Sequence, residues 1–343
     1  MTTARRAGRR RGELTVADLA RLAGVSAPTV SRVINGQPGV AVDTRRRVEE
    51  VIREYGYRRP EHTEPAAILE LVFHALESLW ALEIIRGVEQ VARDHELAVV
   101  LTEMQGRLTP GKAWTEQVLT RRPTGVIAVF SDLTTAQQSQ LAARSIPLVV
   151  LDPTGEPLHE TPSVGATNWN GGLAATRHLL DLGHRRIAMI SGPPEWPCCR
   201  ARLDGYRAAM DAAGIPVDPD LVRISTLYVE GGRRDAEALF RLPDPPTAIF
   251  TANDLQAFGV YEAARHAGRH IPDDLSVVGF DDLSFTQWAG PPMTTIRQPL
   301  TRMGAAAANL IIAIARGDEP VDNRVELATA LVVRESTAPP RLR

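Results

Sequence analysis

Polar and aromatic side chains able to hold a small molecule recur in this chain just after short β-rich runs. His74, Glu77, Ser78 and Trp80 follow a run at 68–73, and Glu103 follows one at 98–102. Ser131 and Asp132 follow 125–130, and Asp152 closes 148–152. Trp196 and Arg200 follow 187–191, Asn253 and Asp254 follow 248–251, and Asp281 and Asp282 follow 276–280. An aromatic face covers the apolar face of a sugar ring, while Arg, Asn and Asp divide the donor and acceptor roles of its hydroxyls. The set therefore suits a polyhydroxylated ligand. Each residue also has a plainer role: Trp80 and Trp196 as core, and Asp152, Asp281 and Asp282 as helix caps or turn formers.

A second group stands near the N-terminus. Val16, Leu19, Ala20 and Ala23 fall at helical spacing, with Thr15 before them as an N-cap. Gly24 stops this helix, and Ser26 caps the next, which carries Ala27 and Pro28 in its first turn. Val30, Val33 and Ile34 form its buried stripe, leaving Ala27, Pro28, Ser31, Arg32 and Asn35 outward, as on a helix that enters a DNA major groove. A third stripe, Val48, Val51, Ile52 and Tyr55, ends at Gly56 and packs beneath the other two. The same periodicity would serve a small bundle with a merely solvated face, but charge weighs against that. Residues 1–60 carry 13 Arg and no Lys against 6 acids, a net of +7, whereas the remainder carries 26 basic and 35 acidic residues, a net of −9. One end is fitted to meet phosphate and the bulk is not. Arg5, Arg6, Arg9, Arg10 and Arg11 make a basic arm, disordered by composition, that either contacts DNA or solubilises the chain.

The elements that must position the first group alternate. Between the β-rich runs lie amphipathic stretches near 82–94, 114–121, 135–143, 172–182, 201–213, 232–240 and 255–267. This pattern predicts parallel sheets with helices on both faces. About eleven strands are many for one twisted sheet, so two similar halves with a cleft between the strands' carboxyl ends are expected.

Thr15-Val-Ala-Asp-Leu-Ala-Arg-Leu-Ala-Gly-Val-Ser26, Thr29-Val-Ser-Arg-Val-Ile-Asn35 and Gly56-Tyr57 resemble the headpiece of the lactose-repressor (LacI/GalR) family. The likeness extends through Gly205, Asn253-Asp254, Gly279-Phe-Asp-Asp282 and Val333-Arg-Glu-Ser336. The resemblance implies an all-α helix-turn-helix headpiece followed by an α/β core of periplasmic-binding-protein-like type, two doubly wound parallel sheets with crossovers near 160, 290 and 325. It places residues 27, 28 and 32 at base-reading positions, where Arg32 can hydrogen-bond a guanine edge while Ala27 and Pro28 offer only apolar contact. It makes Arg200 and Asp254 the foremost sugar-hydroxyl contacts, and it puts an aromatic at Tyr228.

The domains expected are a basic arm (1–14), the headpiece (15–58), a linker (59–66) and the core (67–338). Within the core, one lobe spans 67–160 and 291–322, and the other 161–290 and 323–338. The family places a hinge helix with a minor-groove Leu after the headpiece. Here Arg58-Arg59-Pro60-Glu61-His62-Thr63-Glu64-Pro65 has two prolines and no Leu, so no hinge helix is expected. Leu69 and Leu71 are strand residues.

The expected function is a repressor of transcription. A dimer would bind double-stranded, near-palindromic operator DNA, and a sugar in the core, or a purine acting as corepressor, would modulate it. An enzyme on this frame lacks a Gly-x-Ser-x-Gly elbow, a phosphate loop or a His-Glu-x-x-His motif, and a glycosidase-like carboxylate pair is the weak alternative. A sugar-binding transport component would have no use for the basic headpiece. Cys198 and Cys199 are adjacent, with no second pair and no His at metal spacing, so reduced thiols are expected, with no structural metal and no cofactor. Oxidation there could perturb the neighbouring ligand site. No apolar run reaches the ~18 residues of a membrane span, and the longest, Ala305 to Ala315, is broken by Asn309. With no secretory signal either, a cytoplasmic protein without membrane contact is expected.

Overall fold

In a computed structural model, residues 16–34, 39–55, 65–76, 79–105, 107–131, 133–152, 161–318 and 322–341 are described. The chain divides into two compact units, 1–64 and 65–343. The basic arm, Thr15, Asn35 and nearly all of the linker lie outside the described residues, and with them the question of a hinge helix.

The first unit holds helices α1 (Val16–Ala23), α2 (Ala27–Ile34) and α3 (Val42–Glu54). Gly24, at φ +62°, makes the turn between the first two, because a left-handed backbone costs glycine nothing. Ser26 Oγ lies 2.8 Å from Thr29 Oγ1 and accepts weakly from the Thr29 amide at 3.4 Å. Leu19, Ala20, Ala23, Val30, Val33 and Val48 form the core, with Val51 and Ile52 packed against it. Tyr55, expected within that stripe, is instead exposed because α3 ends one residue before it.

The second unit begins with β1 (Ala66–Phe73), α4 (Leu79–Asp94), β2 (Ala98–Glu103), α5 (Lys112–Arg121), β3 (Pro123–Val129), α6 (Thr135–Ala142), β4 (Leu148–Leu151) and β5 (Ser163–Ala166). It continues with α7 (Asn168–Asp181), β6 (Ile187–Ser191), α8 (Pro197–Ala212), β7 (Val222–Ile224), α9 (Val229–Phe240), β8 (Ala248–Thr251), α10 (Asp254–His266) and β9 (Ser276–Asp281). β10 (Thr294–Arg297), α11 (Leu300–Arg316), β11 (Arg324–Leu327) and β12 (Ala330–Val332) complete it. Two six-stranded sheets result, in the orders β11-β5-β4-β3-β1-β2 and β12-β10-β9-β8-β6-β7, parallel throughout except for the β10–β12 pair. Central strands buried on both faces, such as Ile187–Ser191, read as continuous apolar runs, as a parallel sheet covered by helices demands.

The lobe boundaries differ from the sequence expectation. β5 and β11 pair in the first sheet and β10 in the second, so the chain crosses at Thr167, at Gln298-Pro299 and at Ala328-Thr329 rather than near 160, 290 and 325. Glycine and proline mark turns, but the crossing links are short polar segments whose role is set by strand pairing. Two of them are tied together: the Thr329 amide donates to Thr167 Oγ1 at 2.9 Å, and the Thr167 amide to the Leu327 carbonyl at 3.0 Å.

Most helices start one to four residues earlier than apolar periodicity alone suggests, since N-terminal turns carry few apolar residues. α8 begins at Pro197, a residue whose fixed φ and missing amide proton suit the first helical turn. It packs face to face with α7: a Cβ on Gly172 would sit 2.2 Å from the Arg202 carbonyl oxygen, and one on Gly205 equally close to that of Trp169. This contact fixes the rotation of α8, and hence which of its side chains face inward.

Candidate functional site

The strand ends of the two sheets enclose a cavity of about 140 Å³. The first lobe contributes Phe73, His74, Trp80, Phe130 and Asp152, and the second Trp196, Cys198, Arg202, Tyr228, Asn253 and Asp281. Phe130, Asp152 and Asp281 carry φ of +47°, +49° and +118°, a left-handed backbone that non-glycine residues seldom adopt. All three of these side chains line the cavity, and such a backbone costs about 1–3 kcal/mol per residue.

Its wall is aromatic. Phe130 meets Trp196 edge to face at 4.6 Å between centroids and 88° between planes. Trp80 lies 6.2 Å from Phe130, and His74 lies 6.1 Å from Phe130 and 6.2 Å from Trp196. His74 Nδ1 donates to the Arg107 carbonyl at 3.0 Å, which fixes the ring's orientation in the wall.

Its floor is charged. The Arg202 side chain, 3% exposed, donates from Nε to Asn168 Oδ1 at 2.8 Å and from Nη1 to the Ala252 carbonyl at 2.6 Å. The guanidinium lies 3.8 Å over the Phe280 ring and 3.9 Å from Asp281 Oδ1, which also accepts from Gln298 Nε2 at 2.6 Å. Burial pushes the Asp281 carboxyl up to about 7, against the pull of Arg202 and Gln298. Asp152 is 5% exposed and raised by burial, with Arg202 opposing. No hydrogen bond from a described protein group meets its carboxylate, unlike that of Asp281.

Of the residues singled out from sequence, His74, Trp80, Asp152, Trp196, Tyr228, Asn253 and Asp281 line this cavity. Asn253 spends its amide on the fold, accepting from the Gln256 amide and donating to the Leu227 carbonyl, both at 2.9 Å. Asp254 does not reach the cavity. It is fully buried, accepting from the Leu283 amide at 2.8 Å and Thr295 Oγ1 at 2.6 Å, so it anchors the segment after β9. Arg200 is exposed on α8 and outside the lining, and Arg202 takes the inward place expected for it. Ser131 is buried and donates to the Val129 carbonyl at 2.8 Å. Glu77 and Asp132 lie outside the described residues. Asp282 leaves the cavity too: hydrogen bonds from Arg297 and Arg334 outweigh its burial and hold its carboxyl below the usual range.

Sequence reading missed Phe130, Arg202 and Gln298. Counting α8 from Pro197 would have found Arg202, because Cys198, Arg202 and Tyr206 share one buried face at i, i+4 and i+8.

In the headpiece, Ala27, Pro28, Ser31 and Arg32 stand exposed along one side of α2, and Thr29 is half-buried beside Ser26. Among the described residues, no three His, Cys, Asp or Glu side chains gather as a metal site, and no helix is long and apolar enough to cross a membrane.

Residues 15–60 match the model of bacterial regulatory proteins, lacI family, and residues 176–337 match the periplasmic binding protein-like domain. The HTH-type transcriptional repressor CytR of Escherichia coli (strain K12) is 33% identical over 329 residues, 94% of this chain and 96% of its own. The repressor PurR of Photobacterium profundum is 32% identical over 330 residues, 94% and 98%. Among solved structures, the regulator CelR in complex with cellobiose superposes with TM-score 0.72 at 32% identity, covering 94% of this chain and 99% of that one. The lac repressor dimer bound to operator gives 0.69 at 26%, covering 95% and 100%. These relatives are transcription regulators, and the chain belongs to the lacI family of bacterial regulatory proteins, as a DNA-binding repressor with a ligand-binding core.

Proposed function

We propose that a small carbohydrate held in the core cavity controls this repressor, and that it sets the affinity of a homodimer for a near-palindromic operator. The observation that carries the effector class is the floor of the cavity, where a guanidinium stands beside the carboxylates of Asp152 and Asp281 under aromatic walls. Adjacent donors and acceptors fit the neighbouring hydroxyls of a sugar ring, and Trp196 with Phe130 covers its C–H face. The cellobiose-bound CelR and a ribose-bound regulator from Enterococcus faecium, 25% identical, support the class. Asp281 accepts from Gln298, a residue of one link between the lobes, so a ligand that engages Asp281 bears directly on lobe closure. The coupling expected for such a device is about 1–3 kcal/mol, a change in operator affinity of roughly 5- to 150-fold.

On DNA, Arg32 reads a guanine edge in the major groove, Ala27 and Pro28 touch thymine methyls, and Ser31 and Thr29 contact backbone. The dimer rests on exposed apolar side chains of the core: Trp288, 82% exposed, and Phe258 in the second lobe, with Leu79, Leu82 and Leu101 in the first. The protein works in the cytoplasm by binding and not by catalysis, with the headpiece as 15–58 and the linker as 59–64. The test is a thermal-shift screen of the purified chain against mono- and oligosaccharides, since a ligand that binds the folded state raises Tm. A purine effector is the second reading, favoured by the aromatic side chains of Trp80, Phe130 and Trp196, any one of which can stack on a planar base. Stabilisation by purines and by no sugar would establish it.

A further inference from the structure

Two thiols stand at the edge of the cavity that the carbohydrate reading does not use. Cys198 and Cys199 open α8 directly after its Pro197, both buried, and Cys198 lines the cavity. Their sulfurs lie 4.0 Å apart. Cys199 packs where Gly192 has no side chain, since a Cβ there would come within 2.5 Å of its Sγ. Arg202, one turn along the same face, supplies a buried positive charge beside the pair.

Two reactions suit neighbouring thiols. Disulfide formation asks the helix to yield, because adjacent Cα atoms are about 3.8 Å apart whereas bridged cysteines usually span about 4.4–6.8 Å. Chelation asks for little. Sulfurs 4.0 Å apart, each about 2.3 Å from one ion, subtend about 120° at it, the angle of a three-coordinate centre. Cys198 lines the cavity and Cys199 lies behind it, so an ion between them meets the cavity on its Cys198 side, where the buried Asp152 carboxylate also lies without a hydrogen bond from a described protein group.

We propose that Cys198 and Cys199 form a thiolate-pair site for a soft metal ion of low coordination number, Cu(I), at the wall of the effector cavity. Soft thiolates select Cu(I), and a neutral solvent molecule from the cavity completes three-coordination where, among the described residues, no third metal-ligating side chain joins the pair. Both thiols lose their protons to solvent as two Cu–S bonds form, leaving a bis-thiolate centre of charge −1 that the Arg202 guanidinium neutralises. The hydrogen bond between the two thiols sets Cys199 lower and Cys198 higher than usual, burial pushes both up, and Arg202 opposes that rise, so the ion displaces the Cys198 proton against burial. An ion there occupies ligand space beside Trp196, so copper and effector compete. This goes beyond the carbohydrate reading, and its test does not depend on it.

Reduced full-length protein is titrated anaerobically with Cu(I) in competition with a chromophoric Cu(I) chelator. The expected result is one ion per chain, near-ultraviolet thiolate-to-copper absorption, and binding weakened at least about 100-fold in Cys198→Ser and in Cys199→Ser, beyond the cost of losing an outer partner. In unsubstituted protein, bound Cu(I) must also protect both cysteines from alkylation by N-ethylmaleimide, read by mass spectrometry, which keeps the test valid if a serine variant folds poorly. Undiminished copper binding in the double serine variant, or full alkylation in the presence of copper, overturns the assignment. So does equally tight binding of Zn(II), which would show that the pair does not select a soft, three-coordinate ion.

Discussion

Replacing Asp152 by Asn separates binding from stability more sharply than any other change in the cavity. The carboxylate is 5% exposed, accepts no hydrogen bond from a described protein group, and is raised by burial. The folded protein therefore bears a desolvated acceptor that lines the cavity and, in the proposed site, is left for the ligand to meet. A hydrogen bond to a charged group contributes about 1.5–3 kcal/mol, and an amide keeps one neutral acceptor. Losing one such bond weakens effector binding by about 10- to 150-fold. Stability moves the other way. A carboxyl whose folded pKa lies above its unfolded value is favourable while protonated and loses that contribution as pH rises through the folded pKa. Asp152→Asn should thus change Tm least at about pH 3.5, below the ordinary carboxylate range, and raise it at pH 8. Arg202→Met provides the contrast. It strips partners from Asn168, Ala252 and Asp281, a rupture of a buried charged network that costs about 3–5 kcal/mol, so Tm and binding fall together. Calorimetric titration with the effector, beside thermal melts at the two pH values, reads both quantities. A Tm lowered by several degrees in Asp152→Asn with effector affinity intact would refute the reasoning and make Asp152 a structural residue.

Three further outcomes follow from the same geometry. Arg32→Ala should lose about 1–3 kcal/mol of discrimination at one operator base pair, measured by fluorescence anisotropy on matched and mismatched duplexes, while effector-induced thermal stabilisation is unchanged. Asp281 titrates near pH 7 in the folded chain, so the stability it lends when protonated disappears as pH climbs from about 4 through 7; Asp281→Asn should flatten the Tm profile over that range. Trp288→Arg removes the largest exposed apolar group of the core and should shift the protein toward monomer in sedimentation velocity, with weaker operator binding at low protein concentration.

The sequence made some of this legible and not the rest. The headpiece was readable because its short helices carry apolar stripes and Gly24 turns the first into the second, and Leu19, Val30 and Val48 are fully buried together. The two-sheet core was readable from continuous β-rich runs alternating with amphipathic stretches. Lobe membership was not, because β5, β10 and β11 are four-residue strands whose sheet is decided by distant partners. Within the site, strand-end position found Asp152, Asp281 and Trp196. It also picked Asp254, whose carboxylate closes onto Leu283 and Thr295 at positions no local pattern reveals. Arg200 follows from strand-end position and from the family likeness, and neither registers that Arg202, two residues on, is the arginine on the buried face of α8. Phe130 escaped because its left-handed backbone, which turns the ring into the cavity, has no signature in a residue type that seldom adopts it.

The most direct test is the dissociation constant of the full-length protein for an operator selected from random duplex DNA, measured by anisotropy with and without the sugar that raises Tm. A near-palindromic selected site is expected, with affinity altered by the sugar about 5- to 150-fold, and with about 10- to 150-fold more sugar needed for the same change in Asp152→Asn. Operator affinity that ignores a sugar bound in the cavity, or a sugar response undiminished in Asp152→Asn, would contradict that expectation.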